Sequence, residues 1–420
     1  MANKLLHTPD GVRDIYGAEC RRKSVIQDRI LKVFHLYGYE DIETPTFEFF
    51  DIFNESRGSV PSREMFKFFD RDNQTLVLRP DETPAIARCV AKYFSEDEVV
   101  RLCYLERTFI NNSSYQGRLK EATQTGAEFI GDDSPQADGE ILAMVIEALL
   151  AAGLEEFQVE LGEVDFFKGL LEEAGMDKEQ EEELRRLIEN KNYFGVEELV
   201  HSLPVSAELK EGFLRLPELF GSLEQIQEAR KLTSNQRALK ALDRLEEVNR
   251  ILSYYGLDSY VSYDLGMLSQ YQYYTGIIFK AYTYGTGDYI VNGGRYDKLL
   301  VQFGADRPAV GFGISVDDLL LALSRQKIKV NGGGVNTMIL YEEESSEKAV
   351  RLARFFRSRD MAARLQLRSK ERMVEAYAAS MEQGSIANLL YLDEKGLSVR
   401  LYNAGREEAD EIPLSEYLKD

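Results

Sequence analysis

Two short segments carry the densest chemistry in this 420-residue chain. One runs Tyr273-Tyr274-Thr275-Gly276-Ile277-Ile278-Phe279, the other Asn292-Gly293-Gly294-Arg295-Tyr296-Asp297. Aromatic and β-branched residues between glycines predict two strands meeting at a tight turn. The Gly-Gly pair removes two Cβ atoms and lets backbone approach a ligand closely. Gln124 and Glu128 stand four residues apart in a strand-like stretch, which puts both on one face. A carboxylate there accepts N–H donors, and the hydroxyls of Tyr274 and Tyr296 can hydrogen-bond from a facing wall. Leu78-Arg79-Pro80-Asp81-Glu82-Thr83 adds the acid Asp81 and the hydroxyl of Thr83. Taken one at a time, each of these is better read as a polar residue on a solvated sheet face. Metal chemistry is not expected. His7, His35 and His201 form no cluster, and Cys20, Cys89 and Cys103 show no metal-binding spacing.

The elements that position these residues fall into two or three domains, as the chain length requires. A helix over 18–37 carries Val25, Ile26, Ile30, Leu31, Val33 and Phe34 at helical spacing and stops at Gly38. An extended stretch, Ile42–Glu48, is closed by Pro45. Strand-like segments at 65–70, 75–79, 99–104 and 123–131 predict an antiparallel meander. A helix over 136–152 and a strand over 156–161 continue that domain. From about 166 to 254 the texture changes to charged, leucine-spaced helices, among them 178–189 and 237–254. Strands return at 261–264, 276–284 and 288–291, and a helix follows over 316–325. Asn331-Gly332-Gly333-Gly334 reads as a linker. Beyond it, strands at 337–341, 364–367, 386–392 and 398–402 alternate at first with helices at 347–359 and 371–383. That order predicts a small α/β domain over 335–420 with a largely parallel sheet, after a core over 1–330.

Composition narrows the partners. Hydrophobic residues make up 44% and charged residues 29%, and the formal net charge is −21. Residues 331–420 hold 13 Lys/Arg against 16 Asp/Glu, an unusual balance for a module that reads tRNA. No apolar run is long enough to span a bilayer. Met1-Ala2-Asn3-Lys4 lacks a signal-peptide pattern, and the three cysteines fit a reducing compartment, so a cytoplasmic protein is expected.

The two opening segments resemble the histidine-specific signatures of class II histidyl-tRNA synthetases, Arg-Gly-Leu-Asp-Tyr-Tyr-Thr-Gly and Gly-Gly-Arg-Tyr-Asp. The second stands intact; in the first, the catalytic arginine falls on Ser269. The second class II motif, Cys103-Tyr104-Leu105-Glu106-Arg107-Thr108-Phe109-Ile110, has Ile110 where the synthetases have a phosphate-binding arginine. Loop length leaves that register open, with Arg107 the alternative. The third motif, Pro308–Leu319, has Asp318 at the corresponding arginine position. Serine, isoleucine and aspartate cannot hold triphosphate oxygens as guanidinium groups do.

The resemblance implies an α+β fold, a class II antiparallel sheet flanked by helices, with a helical insert and a small C-terminal α/β domain. It also implies a retained histidine pocket: Asp81 and Thr83 for the α-amino group, Gln124 and Glu128 with Tyr274 and Tyr296 for the imidazole. Asp81 is one methylene shorter than the family's glutamate. Arg118 is a candidate anion-binding residue or an ordinary surface arginine. A synthetase core without its adenylation arginines is similar to the regulatory subunits of ATP phosphoribosyltransferase. That family implies a non-catalytic chain without cofactor, a homodimer within a hetero-oligomer formed with the short-form catalytic subunit, and free histidine as feedback ligand. The helix over 18–37 and the strand ending at Pro45 resemble the class II dimerisation motif. Two alternatives are a divergent histidyl-tRNA synthetase and a histidine-sensing paralogue with another partner.

Overall fold

The computed structural model describes residues 6–53, 60–112, 119–190, 192–267, 273–330, 337–381, 386–403 and 409–418. By compactness the chain divides into two units, residues 1–14 with 26–330 and residues 15–25 with 331–420. Helix α1 (Gly17–Leu36) buries Ile26, Ile30, Val33 and Phe34, the expected apolar stripe. Gly38, at φ +82°, then takes a left-handed turn that only glycine adopts without strain and feeds strand β1 (Glu40–Asp41). Strands β2 (Phe47–Phe49), β3 (Lys67–Phe69) and β4 (Thr75–Leu78) form a small antiparallel sheet in the order β2-β4-β3. Helix α2 (Thr83–Tyr93) leads to the long hairpin of β5 (Val100–Phe109) and β6 (Glu121–Ile130). The expected single meander over 65–131 is therefore divided. β3 and β4 pair within the small sheet, whereas β5 and β6 belong to the principal one.

Helix α3 (Pro135–Ala152) starts at a Ser134 cap that accepts the Ala137 N–H and ends at Gly153, φ +101°. It is apolar almost all round, the pattern of a helix enclosed by protein on every side. Ile141, Leu142, Met144, Val145, Ile146 and Leu149 are fully buried between the sheet and a long helix of the insert. Strand β7 (Phe157–Glu163) opens that insert, which runs through α4 (Val164–Ala174), α5 (Lys178–Glu189), α6 (Tyr193–Ser202), α7 (Ala207–Arg215), β8 (Phe220–Gly221), α8 (Glu224–Arg230) and α9 (Gln236–Tyr255). β9 (Val261–Asp264), β10 (Ile277–Thr283), β11 (Val291–Arg295) and β12 (Ala309–Ser315) return to the sheet, and α10 (Val316–Arg325) follows. The nine strands lie in the order β1-β5-β6-β12-β11-β10-β7-β9-β8, antiparallel except for the β1/β5 and β7/β9 pairs. This is the expected α+β architecture.

One strand differs from its expected place. The strand expected over 288–291 lies at Val291–Arg295, so Gly293 and Gly294 are inside the ladder rather than at a turn. β11 pairs with β10 on one side and β12 on the other. The glycines are needed because side chains and backbone of this chain crowd them. A Cβ on Gly293 would lie 2.4 Å from the Phe279 ring, and one on Gly294 2.6 Å from Ile277 O.

In the second unit, β13 (Thr337–Tyr341), α11 (Ser346–Arg357), β14 (Ala363–Leu367), α12 (Val374–Ala379), β15 (Asn388–Leu392), β16 (Ser398–Asn403) and β17 (Asp410–Pro413) build a five-stranded sheet, β14-β13-β15-β16-β17. Its first three strands are parallel and the rest antiparallel. The helix expected over 371–383 is only Val374–Ala379. Ser380 bonds its hydroxyl back to Tyr377 O, one of the local bonds by which serine competes with a helix. Among the described residues no helix is long and apolar enough to cross a membrane.

Candidate ligand pocket

The residues of the candidate pocket centre on β6 and β12. β6 projects Gln124 and Glu128 to one face, opposite Ser315 and Gly311 of β12. A Cβ at Gly311 would stand 1.6 Å from Glu128 Oε2, and one at Gly313 would stand 2.6 Å from Gln124 Nε2. Both polar side chains therefore lie over β12 in space left by two absent side chains. Gly311→Ala is expected to displace the carboxylate, destabilise the fold by about 1–3 kcal/mol and abolish binding in this pocket. Unfolding and ligand titration of the variant check this.

Glu128 is fully buried. Its Oε1 accepts the Thr83 hydroxyl at 2.7 Å, and its Oε2 accepts the Tyr296 hydroxyl. Thr83 is the first residue of α2, and Tyr296 follows β11 directly, so two elements distant in sequence clamp one carboxylate. Burial pushes Glu128 up to about 8; the two hydroxyls oppose the shift, and the nearby charges of Asp81 and Glu82 add to it. Asp81 is itself buried, with Oδ1 accepting the Glu82 N–H at 2.8 Å. Tyr274 packs on Gly294, where a Cβ would come within 2.8 Å of its ring. Its ring centroid is 4.8 Å from that of Tyr273, which in turn meets Tyr296 edge-on at 6.1 Å. Burial and the charge of Asp81 raise the Tyr274 phenol, keeping it a hydroxyl.

One wall residue was not singled out from sequence. Tyr104 on β5 donates to Gln124 Oε1 at 3.2 Å and is buried. Its register partner is Gly126, where a Cβ would fall 2.6 Å from the Tyr104 hydroxyl. A glycine midway between Gln124 and Glu128 was the available signal, since it marks room for a cross-strand aromatic. Beside the pocket, Arg79 is buried and donates to Thr44 O at 2.6 Å and to Arg107 O at 2.9 Å. Its Nε also lies 2.7 Å from Glu82 Oε1, but that N–H points at Arg107 O, so the Glu82 contact is purely ionic. Arg295 and Asp297 of the intact signature are engaged within the fold. Arg295 donates to Asp138 at 2.7 and 2.9 Å, and Asp297 Oδ1 accepts the Ala309 N–H at 3.0 Å.

A family profile described as histidyl-tRNA synthetase matches residues 11–319. A protein of Acetivibrio thermocellus named ATP phosphoribosyltransferase regulatory subunit is 40% identical over 100% of both chains. The chain belongs to the ATP phosphoribosyltransferase regulatory subunit family. A crystal structure of an ATP phosphoribosyltransferase regulatory subunit/histidyl-tRNA synthetase from Bacillus halodurans matches with a TM-score of 0.83 at 34% identity, covering 93% of this chain and 98% of that one. The histidyl-tRNA synthetase of a Nostoc species matches with a TM-score of 0.81 at 17% identity over 98% of both chains, a likeness of fold alone.

Of the three positions that the sequence resemblance sets against synthetase arginines, two lie among the described residues. Ile110 is half-buried, with its N–H on Lys120 O at 2.9 Å. Asp318 is exposed in the first turn of α10, and its carboxylate accepts the Ser315 hydroxyl at 2.5 Å. Asp317 accepts the Thr123 N–H at 2.7 Å, tying α10 to β6. Ser269 and Arg118 lie outside the described residues.

Proposed function

We propose that the chain is a non-catalytic regulatory subunit that assembles, as a homodimer in the cytoplasm, with the short-form catalytic subunit of ATP phosphoribosyltransferase. It supports the first step of histidine biosynthesis and carries free histidine in the pocket of Asp81, Thr83, Gln124, Glu128, Tyr274 and Tyr296. No tRNA and no cofactor take part. The observation that carries the ligand assignment is the buried Glu128 carboxylate held by Thr83 and Tyr296. A dry acceptor of this kind suits a small ligand rich in N–H groups, such as an imidazole with an ammonium. The regulatory role rests on the named relatives, and isoleucine and aspartate at positions 110 and 318 fit a chain without adenylation chemistry. The net charge of −21 argues against tRNA as partner.

Reconstitution is the test. Mixed with a short-form catalytic subunit, the chain should co-elute with it and confer transferase activity that histidine inhibits. Alone, it should catalyse no histidine-dependent exchange of pyrophosphate into ATP. Exchange at a rate typical of synthetases, or no association with the catalytic subunit, would overturn the reading.

A further inference from the structure

Away from the pocket, three ligand-type side chains from three elements meet at one edge of the sheet. His35 lies in the last turn of α1, Asp41 in β1 and Cys103 in β5. The left-handed turn at Gly38 brings the chain back so that His35 Nε2 stands 3.0 and 3.1 Å from the two Asp41 carboxylate oxygens. The parallel β1/β5 pairing sets Asp41 opposite Cys103, with Cys103 Sγ 3.6 Å from Asp41 Oδ1. One ligand atom from each residue lies within 4.8 Å of the other two. Among the described residues this is the one such grouping of histidine, cysteine and carboxylate ligands. We propose that it is a site for a zinc-type divalent cation, bound by His35 Nε2, the Asp41 carboxylate and the Cys103 thiolate, with solvent in the fourth position.

The spacing suits that ion. Tetrahedral zinc, with N and O ligands near 2.0 Å and sulfur near 2.3 Å, separates its ligand atoms by roughly 3.3–3.5 Å. The His35–Asp41 and Asp41–Cys103 separations of 3.0 and 3.6 Å bracket that range, and the His35 and Cys103 ligand atoms lie within 4.8 Å, so loading draws the imidazole and the thiolate together around the carboxylate. Imidazole, carboxylate and thiolate together favour zinc over magnesium or calcium, which take oxygen ligands. Accessibility is graded in the right sense. In a single copy of the chain Cys103 is buried, whereas the side chains of His35 and Asp41 are 46% and 68% exposed. On loading, the thiol proton leaves to solvent and the imidazole binds in its neutral form. Sequence spacing hides the site, because two ligands are six residues apart and the third comes from a strand 62 residues further on.

The test uses the full chain, stripped with chelator and dialysed. Zinc titrated calorimetrically should bind one equivalent. Cobalt should give tetrahedral visible bands with a near-ultraviolet thiolate-to-metal charge-transfer band. Cys103→Ser should remove the charge-transfer band, and both it and His35→Gln should weaken zinc by about tenfold or more. His35 is half-exposed, so His35→Gln keeps the test valid even where the buried cysteine variant misfolds. Absence of saturable zinc binding, a cobalt spectrum without the thiolate band, or unchanged zinc affinity in His35→Gln would each overturn the proposal.

Discussion

Glu128→Ala is expected to weaken histidine binding by well over tenfold while leaving assembly with the catalytic subunit intact. Glu128 is fully buried, and both its oxygens already accept hydroxyls, from Thr83 and Tyr296. Truncation leaves those hydroxyls without their acceptor, together with any N–H of the ligand that the carboxylate would receive. Losing a charged partner in a desolvated site costs about 2–5 kcal/mol. Assembly should persist, because Glu128 lies over Gly311 on one face of β12, whereas α1, the helix proposed for dimer contact, packs its Phe34 on Phe312 at the other face. The pH dependence gives a second signature. Burial places Glu128 near 8, so at pH 7 the empty pocket holds a proton that a ligand N–H must displace. Affinity should rise between pH 7 and 8, with proton uptake by the buffer visible calorimetrically, and Glu128→Gln should flatten that rise. Equal affinities for wild type and Glu128→Ala would move the regulatory site elsewhere, most simply to the contact with the catalytic subunit.

Much of the scaffold was legible because local chemistry marks its boundaries. α10 begins where Ser315 can cap the Asp318 N–H, and α1 ends where Gly38 takes a positive φ. The same-face placement of Gln124 and Glu128 followed from the two-residue period of a strand. β11 was misplaced because glycine inside a ladder looks like glycine in a turn; only the Phe279 ring and Ile277 O, supplied by β10, show why the strand needs it. The link between Thr83 and Glu128 spans 45 residues, and no periodicity reports such a contact. That Thr83 and Glu128 share one site was expected from resemblance alone, and their direct contact was not expected. Tyr104 and the His35–Asp41–Cys103 group were missed for a related reason, since strand register and a helix-to-strand reversal bring them to their partners.

A steep pH effect on stability is expected from Glu163. It closes β7 and precedes α4, is 5% exposed, and its Oε2 has no hydrogen-bond partner among the described residues. Burial pushes it up to about 8, with the Asp165 charge adding and backbone bonds from Asp165 and Phe166 opposing. A carboxyl raised in the folded state from an unfolded value of 4.5 favours folding fully below 4.5 and loses that contribution as pH climbs through 8. Between those values the unfolded chain sheds its proton first, and stability falls by about 1.4 kcal/mol per pH unit. From pH 5 to 8 the loss is roughly 3 kcal/mol. Glu163→Gln keeps the shape of the side chain without the ionisation. The variant should match wild type near pH 5 and exceed it by roughly 3 kcal/mol at pH 8 in urea unfolding. Glu128 and Glu82, raised to about 8 and about 7, keep a residual slope in the variant. Parallel stability profiles for the two proteins would show that the Glu163 carboxylate ionises at no cost, and that its unpaired oxygen is solvated in solution.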